Sequence, residues 1–271
     1  MVLSIVNIIL SIIISSLLGY ITCINTSWYF FWISFLLVIP IYILIFLVYV
    51  FIIWIVGLFL NTKDECNFNK KYYFIIQNTL TIVLQLFRVR TKINGLDKIP
   101  TSSKFLLVCN HNSNFDPIII INKLNNFEQI WITKPENMKF PVAGPYIHNV
   151  GFIPINRDDP RKAIKAIIKS SDILINNTCN ICVCPEGTRN KTDKPLLEFH
   201  PGSFKIATRS NVPIVVVDIK NTKKIKKNFL FKSTKVELNI VNVLYPDDYK
   251  DLNTNQIADI CYKNILEDYI K

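Results

Sequence analysis

Apolar positions run almost unbroken at the start of the chain and then break into short periodic blocks. From Met1 through Thr62 there is no Asp, Glu, Lys or Arg. Val2 to Cys23 is long enough to cross a bilayer. It lacks the basic start and small-residue cleavage site of a signal peptide, so it reads as an anchor. Trp28 to Leu60 is a second apolar run, too long for one untilted span, with Trp28, Tyr29 and Trp32 suited to one interface and Pro40 marking a kink or an entry. Two passes joined by a short turn near Asn25-Thr26 is the preferred topology; one span, with the other segment lying in the interface, is the alternative. A helical hairpin buried in a soluble protein would leave this run nothing to face water with. Residues 1–62 thus form a membrane-embedded helical segment, and residues 63–271 a separate domain.

Within that domain the period changes repeatedly. Tyr72 to Val89 carries a broad helical apolar face, including Tyr73, Ile76, Leu80, Val83 and Leu84. Arg88 to Ile93 alternates as a strand and ends at the turn signal Asn94-Gly95. Phe105 to Cys109 reads as a buried strand, followed by a polar loop and a helix from about Pro117. Trp131 to Lys134 suggests another short strand, and Phe140 to Tyr146, with two prolines and a glycine, suggests a loop around a pocket. Asp159-Pro160 is an N-cap followed by proline at the first helical position, opening a basic helix from Arg161 to Asn176. Ile181 to Cys184, Val212 to Ile219 and Val236 to Val243 read as strands, Lys220 to Lys235 as a solvated loop or hairpin, and Asn253 to Ile270 as a terminal helix. Strands alternating with helices predict an α/β domain with a mixed, largely buried sheet flanked by helices.

Charge narrows the partners. The formal net charge of +11 belongs entirely to the part from Lys63 onward. That balance favours anionic membrane surfaces and phosphorylated small molecules. The interleaving of aromatic and basic residues that grips nucleic acid is not apparent, so no nucleic-acid partner is expected. Lys63, Lys70 and Lys71 directly after the apolar runs place the domain on the cytoplasmic side of the cell membrane. Seven cysteines, an odd number without framework spacing, argue against a disulfide scaffold and for a reducing compartment. Cys179, Cys182 and Cys184 lie in and beside an apolar strand and read as core residues. The histidines His111, His148 and His200 give no ligand spacing, so no metal site is expected.

Candidate chemistry collects at the strand ends. In Asn110-His111-Asn112-Ser113-Asn114-Phe115-Asp116 the five-residue separation keeps His111 and Asp116 off a common face of one helix or strand, so they meet only if the chain turns between them. A carboxylate on one imidazole nitrogen fixes the tautomer and leaves the other nitrogen free to take a proton from an alcohol. Asp116 before Pro117 also fits a plain helix N-cap. Gly151 to Arg157 and Pro185 to Arg189 each end an extended segment. Arg157 and Arg189 would clamp a phosphate from two sides, with Glu186 orienting an arginine or accepting from a substrate hydroxyl. Exposed ion pairs are the plainer account of both.

Taken together and in order, these segments resemble the phospholipid-glycerol acyltransferase family, which includes the bacterial lysophosphatidate acyltransferases. Its Asn-His-x4-Asp motif is met by Asn110, His111 and Asp116. Its glycine, apolar run and terminal arginine are met by Gly151 through Asn156-Arg157, and its Pro-Glu-Gly-Thr-Arg motif by Pro185 to Arg189. Its apolar Val-Pro segment is met by Val212 to Val215, and Pro201 to Ala207 is similar to its lysine-bearing segment. The chain departs from the pattern at Asn156, Cys184, His200 and Val216. The resemblance implies transfer of a fatty acyl group from acyl-CoA or acyl-carrier protein to the sn-2 hydroxyl of 1-acyl-sn-glycerol 3-phosphate, with no other cofactor. His111 and Asp116 would be the base pair, and Asn110, Lys134, Arg157, Glu186, Gly187, Thr188 and Arg189 the substrate-binding set. Glycerol 3-phosphate or another lysophospholipid as acceptor, and a non-enzymatic membrane-anchored binder of anionic lipid, are the competing expectations.

Overall fold

The computed structural model describes residues 2–25, 36–63, 67–156, 159–229 and 231–270, with the side chains of residues 2 and 22–25 left out. Two apolar helices come first, α1 (Val2–Asn25) and α2 (Val38–Leu58). Pro40 sits in the first turn of α2, where its missing N–H breaks no helical bond. The tryptophans expected at one interface, Trp28 and Trp32, fall outside the described residues, as does the turn between the helices. Both helices expose large apolar side chains along their length. α1 buries polar side chains, Ser4, Asn7, Ser11 and Ser15, along one side, whereas α2 buries Ile53 and Gly57. Asn7 Nδ2 donates to Tyr42 O at 3.3 Å, and Ser4 bonds to Gln85 of α3 (Lys70–Leu86). Tyr49 of α2 shares a hydrogen bond of 2.9 Å with Thr79 of α3. Away from water such polar groups must find partners, so they fix how the hairpin lies on the domain.

The remaining elements are β1 (Val89–Asn94), β2 (Leu106–Cys109), α4 (Phe115–Lys123), β3 (Gln129–Thr133), α5 (Ala143–Val150), β4 (Ile153–Pro154), α6 (Pro160–Ile175), β5 (Asn180–Val183), α7 (Lys205–Ser210), β6 (Ile214–Lys220), α8 (Lys224–Asn228), β7 (Thr234–Leu244), α9 (Pro246–Tyr249) and α10 (Thr254–Ile270). They build one mixed sheet in the order β1-β7-β6-β2-β5-β3-β4. The block β6-β2-β5-β3-β4 is parallel throughout, and β7 runs antiparallel to β6. β1 pairs with β7, parallel to it, from Val89↔Thr234 to Asn94↔Asn239, so Asn94-Gly95 ends the strand without starting a hairpin. Strand alternation splits the core in two. Leu106, Val108, Ile181, Val183, Ile214 and Val216 meet α6, α7 and α10 on one face; Leu107, Cys109, Trp131, Cys182, Val215 and Val217 meet α3 and α4 on the other. A sheet covered on both faces explains why β2 and β5 are apolar at nearly every position.

Three local expectations need correction. Phe140 to Tyr146 does not form an open loop: from Ala143 the chain is helical, because Gly144 N donates to Phe140 O at 2.8 Å and starts the turn. The helix expected to end at Val89 stops at Leu86, and Val89 is the first residue of β1. Lys220 to Lys235 is not wholly solvated, since it contains α8 and buries Thr222 and Ile225. Asp159 does cap α6, accepting from Arg161 N at 3.1 Å and Lys162 N at 3.2 Å.

Candidate active site

β2 leads through α4 on one face of the sheet to β3, whereas the neighbouring β5 leads through α7 on the opposite face to β6. Connections that part in this way leave a crevice at the carboxyl ends of the two strands, where α/β sheets bind ligands. His111 follows β2 at that crevice, and Cys184, Pro185 and Glu186 follow β5. A wide cleft bordered by Lys70, Ser102, Lys104 and Glu128 opens at the amino ends of β2, β3 and β5, away from this chemistry.

The chain does turn between His111 and Asp116. The helix begins at Phe115, one residue before the aspartate, so Asp116 sits inside its first turn and its side chain reaches back over the loop. Oδ2 accepts from His111 Nδ1 at 3.0 Å and from the N–H groups of Asn112 and Ser113 at 2.6 Å each. Oδ1 accepts from Thr222 Oγ1 at 2.5 Å. Four donors satisfy the oxygens of this carboxylate, which is 0% exposed. Facing an acceptor, Nδ1 carries the imidazole proton and Nε2 is left for a substrate. The imidazole remains partly open, its side chain 21% exposed.

The backbone of His111 is held from β5. Glu186 Oε1 accepts from His111 N at 2.6 Å, and Asn190 N donates to His111 O at 2.7 Å. Glu186 Oε2 accepts from Leu197 N at 3.0 Å. Glu186 is buried, and burial raises its pKa to about 7 against the pull of those two N–H groups. Both its oxygens lie on backbone donors, one of them the N–H of His111, so it holds the backbone of the histidine. Asn110 is likewise turned inward at 0% exposure. Its Nδ2 donates to Asp218 Oδ1 at 2.7 Å and its Oδ1 accepts from Ile219 N at 2.8 Å, stapling the end of β2 to β6. Gly187, at φ 75°, supplies a left-handed turn that lets the chain leave Glu186 buried and Thr188 and Arg189 exposed. Gly151, at φ 90°, ends α5 in the same conformation. Lys134 is exposed beyond the carboxyl end of β3, on the same edge of the sheet. Arg157 lies outside the described residues.

Sequence reasoning missed Thr222, Asn190 and Asp218, and it read Cys184 only as core. Cys184 follows β5 beside the imidazole, with its sulfur 3.4 Å from that of Cys109. The Cys109 thiol draws the Cys184 pKa down, against burial and with help from His111, to about 6; the same contact and burial push Cys109 up. Burial pulls the His111 imidazole down, but Cys184 and Asp116 outweigh it and raise the pKa to about 10.

A histidine oriented by a buried carboxylate at the mouth of a mixed α/β sheet, with basic groups on the same edge, is an arrangement that can carry general-base chemistry. Residues 90–220 match the acyltransferase family model. The chain is 30% identical over 157 residues to a chloroplastic 1-acyl-sn-glycerol-3-phosphate acyltransferase of Brassica napus, covering 58% of this chain and 44% of that one. It is 26% identical over 210 residues to a protein of Mycoplasma genitalium named as a probable 1-acyl-sn-glycerol-3-phosphate acyltransferase, covering 73% and 75%. The crystal structure of the 1-acyl-sn-glycerophosphate acyltransferase PlsC from Thermotoga maritima superposes with a TM-score of 0.58 at 20% identity, over 82% of this chain and 87% of that one, and so shares the fold. The matched region thus spans less than half the length of the Brassica relative and three quarters of the Mycoplasma one. Residues 90–220 are thus placed in the acyltransferase family.

Proposed function

We propose that this protein transfers a fatty acyl group from a thioester to the sn-2 hydroxyl of 1-acyl-sn-glycerol 3-phosphate, giving phosphatidic acid. The observation that carries the reading is the His111 Nδ1–Asp116 Oδ2 bond of 3.0 Å, which makes Nε2 the ring nitrogen able to act as a base. Nε2 takes the hydroxyl proton as that oxygen bonds to the thioester carbonyl carbon. The tetrahedral intermediate collapses by breaking the carbon–sulfur bond, and the thiolate leaves with the proton from the imidazolium. Asp116 stays ionised and stabilises the imidazolium. No enzyme-bound acyl group is required, because the acceptor attacks directly. Arg189, Arg157 and Lys134 hold the acceptor phosphate; Arg189 and Lys134 are exposed on the edge that carries His111.

The donor is acyl-CoA or an acyl-carrier-protein thioester, and the domain faces the cytoplasm, in keeping with Lys63, Lys70 and Lys71 after the apolar helices. Membranes containing the chain, supplied with lysophosphatidate and acyl-CoA, should form phosphatidate with wild type and not with His111→Ala. Equal formation by both would refute the base assignment. Acylation of glycerol 3-phosphate in preference to lysophosphatidate would refute the acceptor.

A further inference from the structure

Two thiols meet at the catalytic loop. Cys109 ends β2, two residues before His111, and Cys184 begins the loop after β5 that holds Glu186. β2 and β5 run parallel in the register Leu107↔Cys182 and Val108↔Val183, so Cys109 and Cys184 face each other one step further on. Neighbouring strands lie about 4.8 Å apart, within the span of roughly 4.4–6.8 Å between Cα atoms that a disulfide can bridge. The two sulfurs are already 3.4 Å apart. Cys109 is buried, whereas Cys184 is partly exposed. The neighbouring Cys182 thiol is turned elsewhere, to Gln129 Oε1 at 3.6 Å.

We infer that Cys109 and Cys184 form a peroxide-reactive dithiol beneath the catalytic histidine, and that its closure to a disulfide switches acyl transfer off. Cys184 is the attacking thiol, because its residue is the less buried of the two and has the imidazole beside it. Its sulfur takes one oxygen from hydrogen peroxide as the O–O bond breaks, giving a sulfenic acid and hydroxide, which takes up the thiol's proton to become water. The Cys109 sulfur then displaces the sulfenic oxygen, releasing a second water and forming the disulfide. In sum, two thiols and one peroxide become one disulfide and two waters.

Bond formation draws the sulfurs from 3.4 Å to about 2.05 Å. That movement falls between the strand ends joined by the 2.6 Å bond from His111 N to Glu186, so it displaces the base. It also removes the anionic sulfur beside the imidazole. Such a pair suits a reversible signal in a reducing compartment better than a permanent cross-link.

The activity half of the inference rests on the acyltransferase reading; the thiol half does not. The purified full chain in detergent is exposed to hydrogen peroxide, blocked with an alkylating reagent, digested without reductant and mapped by mass spectrometry. A peptide pair joined through Cys109 and Cys184, with loss of acyl transfer that dithiothreitol reverses, is expected. Cys109→Ser should instead leave a sulfenic acid on Cys184, trapped by dimedone. Cys184→Ser should leave Cys109 alkylated and acyl transfer insensitive to peroxide. Separate alkylation of Cys109 and Cys184 in peroxide-treated wild type overturns the dithiol. A full yield of the cross-link with activity retained overturns the switch. Should the chain not acylate lysophosphatidate at all, the peptide map still decides whether the dithiol exists.

Discussion

Replacing Thr222 by valine keeps the side chain's shape and removes one hydroxyl. That hydroxyl is the donor to Asp116 Oδ1 at 2.5 Å, while Oδ2 holds the other three donors. With Asp116 at 0% exposure, water has no path to replace the lost bond. A hydrogen bond to a charged group contributes about 1.5–3 kcal/mol. In a domain of this size each kcal/mol moves the melting temperature by about 2–4 °C, so Tm should fall by roughly 3–12 °C. Catalysis should respond in a particular direction. A carboxylate relieved of one donor is a stronger base, holds the Nδ1 proton more tightly and raises the imidazole pKa further. In the proposed mechanism the neutral imidazole is the active form, so the rise of kcat with pH should move to higher pH. Thermal unfolding in detergent micelles measures the first effect, and kcat between pH 6 and 10 in lysophosphatidate mixed micelles the second, over a window reaching the imidazole pKa of about 10. Thr222→Ser restores the donor and should recover both. Wild-type Tm and pH profile in Thr222→Val would refute the reasoning, as would a loss that serine does not recover.

Asp116→Asn keeps the size of the group but loses its charge, and should lower kcat by about 100- to 10,000-fold with little change in KM; near-wild-type kcat would sink the pair. Arg189→Ala should raise KM for lysophosphatidate and spare kcat, and an unchanged KM would remove Arg189 from the phosphate site. Cys184→Ala takes away one of the influences that raise the His111 pKa, so its kcat profile should shift to lower pH, opposite to Thr222→Val. Asp218 is buried, and burial raises its pKa from 3.8 to about 7, against the pull of Lys220. A carboxyl group raised by folding costs nothing while it is protonated in both states. It destabilises the native state increasingly as pH rises from its unfolded value toward its folded one. Tm of Asp218→Asn should therefore gain on wild type between about pH 4 and 7; a constant offset over that range would count against it.

The His111–Asp116 loop was legible in the sequence because its parts are local. An apolar strand, a turn of Asn-Ser-Asn and an aspartate before proline lie within a dozen residues, and each has its own chemistry. The cap at Asp159 and proline at Pro160 were legible for the same reason. What escaped depends on distant contacts. Thr222 reaches Asp116 across 106 residues, from a lysine-rich stretch whose composition suggests solvent. Asn110 and Glu186 have the chemistry of substrate ligands, and nothing local reveals that strand pairing turns them inward. β1 alternates just as a hairpin strand does, so its parallel pairing with β7 follows only from the assembled sheet. Phe140 to Tyr146 looked like a loop because of its prolines and glycine, yet of the two prolines only Pro145 lies within α5, inside the first turn, where the helix tolerates it.

The contact between α2 and α5 has a consequence for reach. Tyr146 of α5 donates its hydroxyl to Ile53 O at 2.7 Å, and its ring lies 3.4 Å from the Cβ position that Gly57 leaves empty. Asn149 Nδ2 donates to Asn61 O at 2.9 Å just beyond. The apolar helices are therefore joined sideways to the domain along their length, as a keel is to a hull, and do not hold it like a mooring line. A moored domain would swing and sample many heights above the lipid. With the two apolar helices in a bilayer, a keeled one would ride at a single draught, holding α5 and the Gly151 segment that follows it at one distance from the lipid.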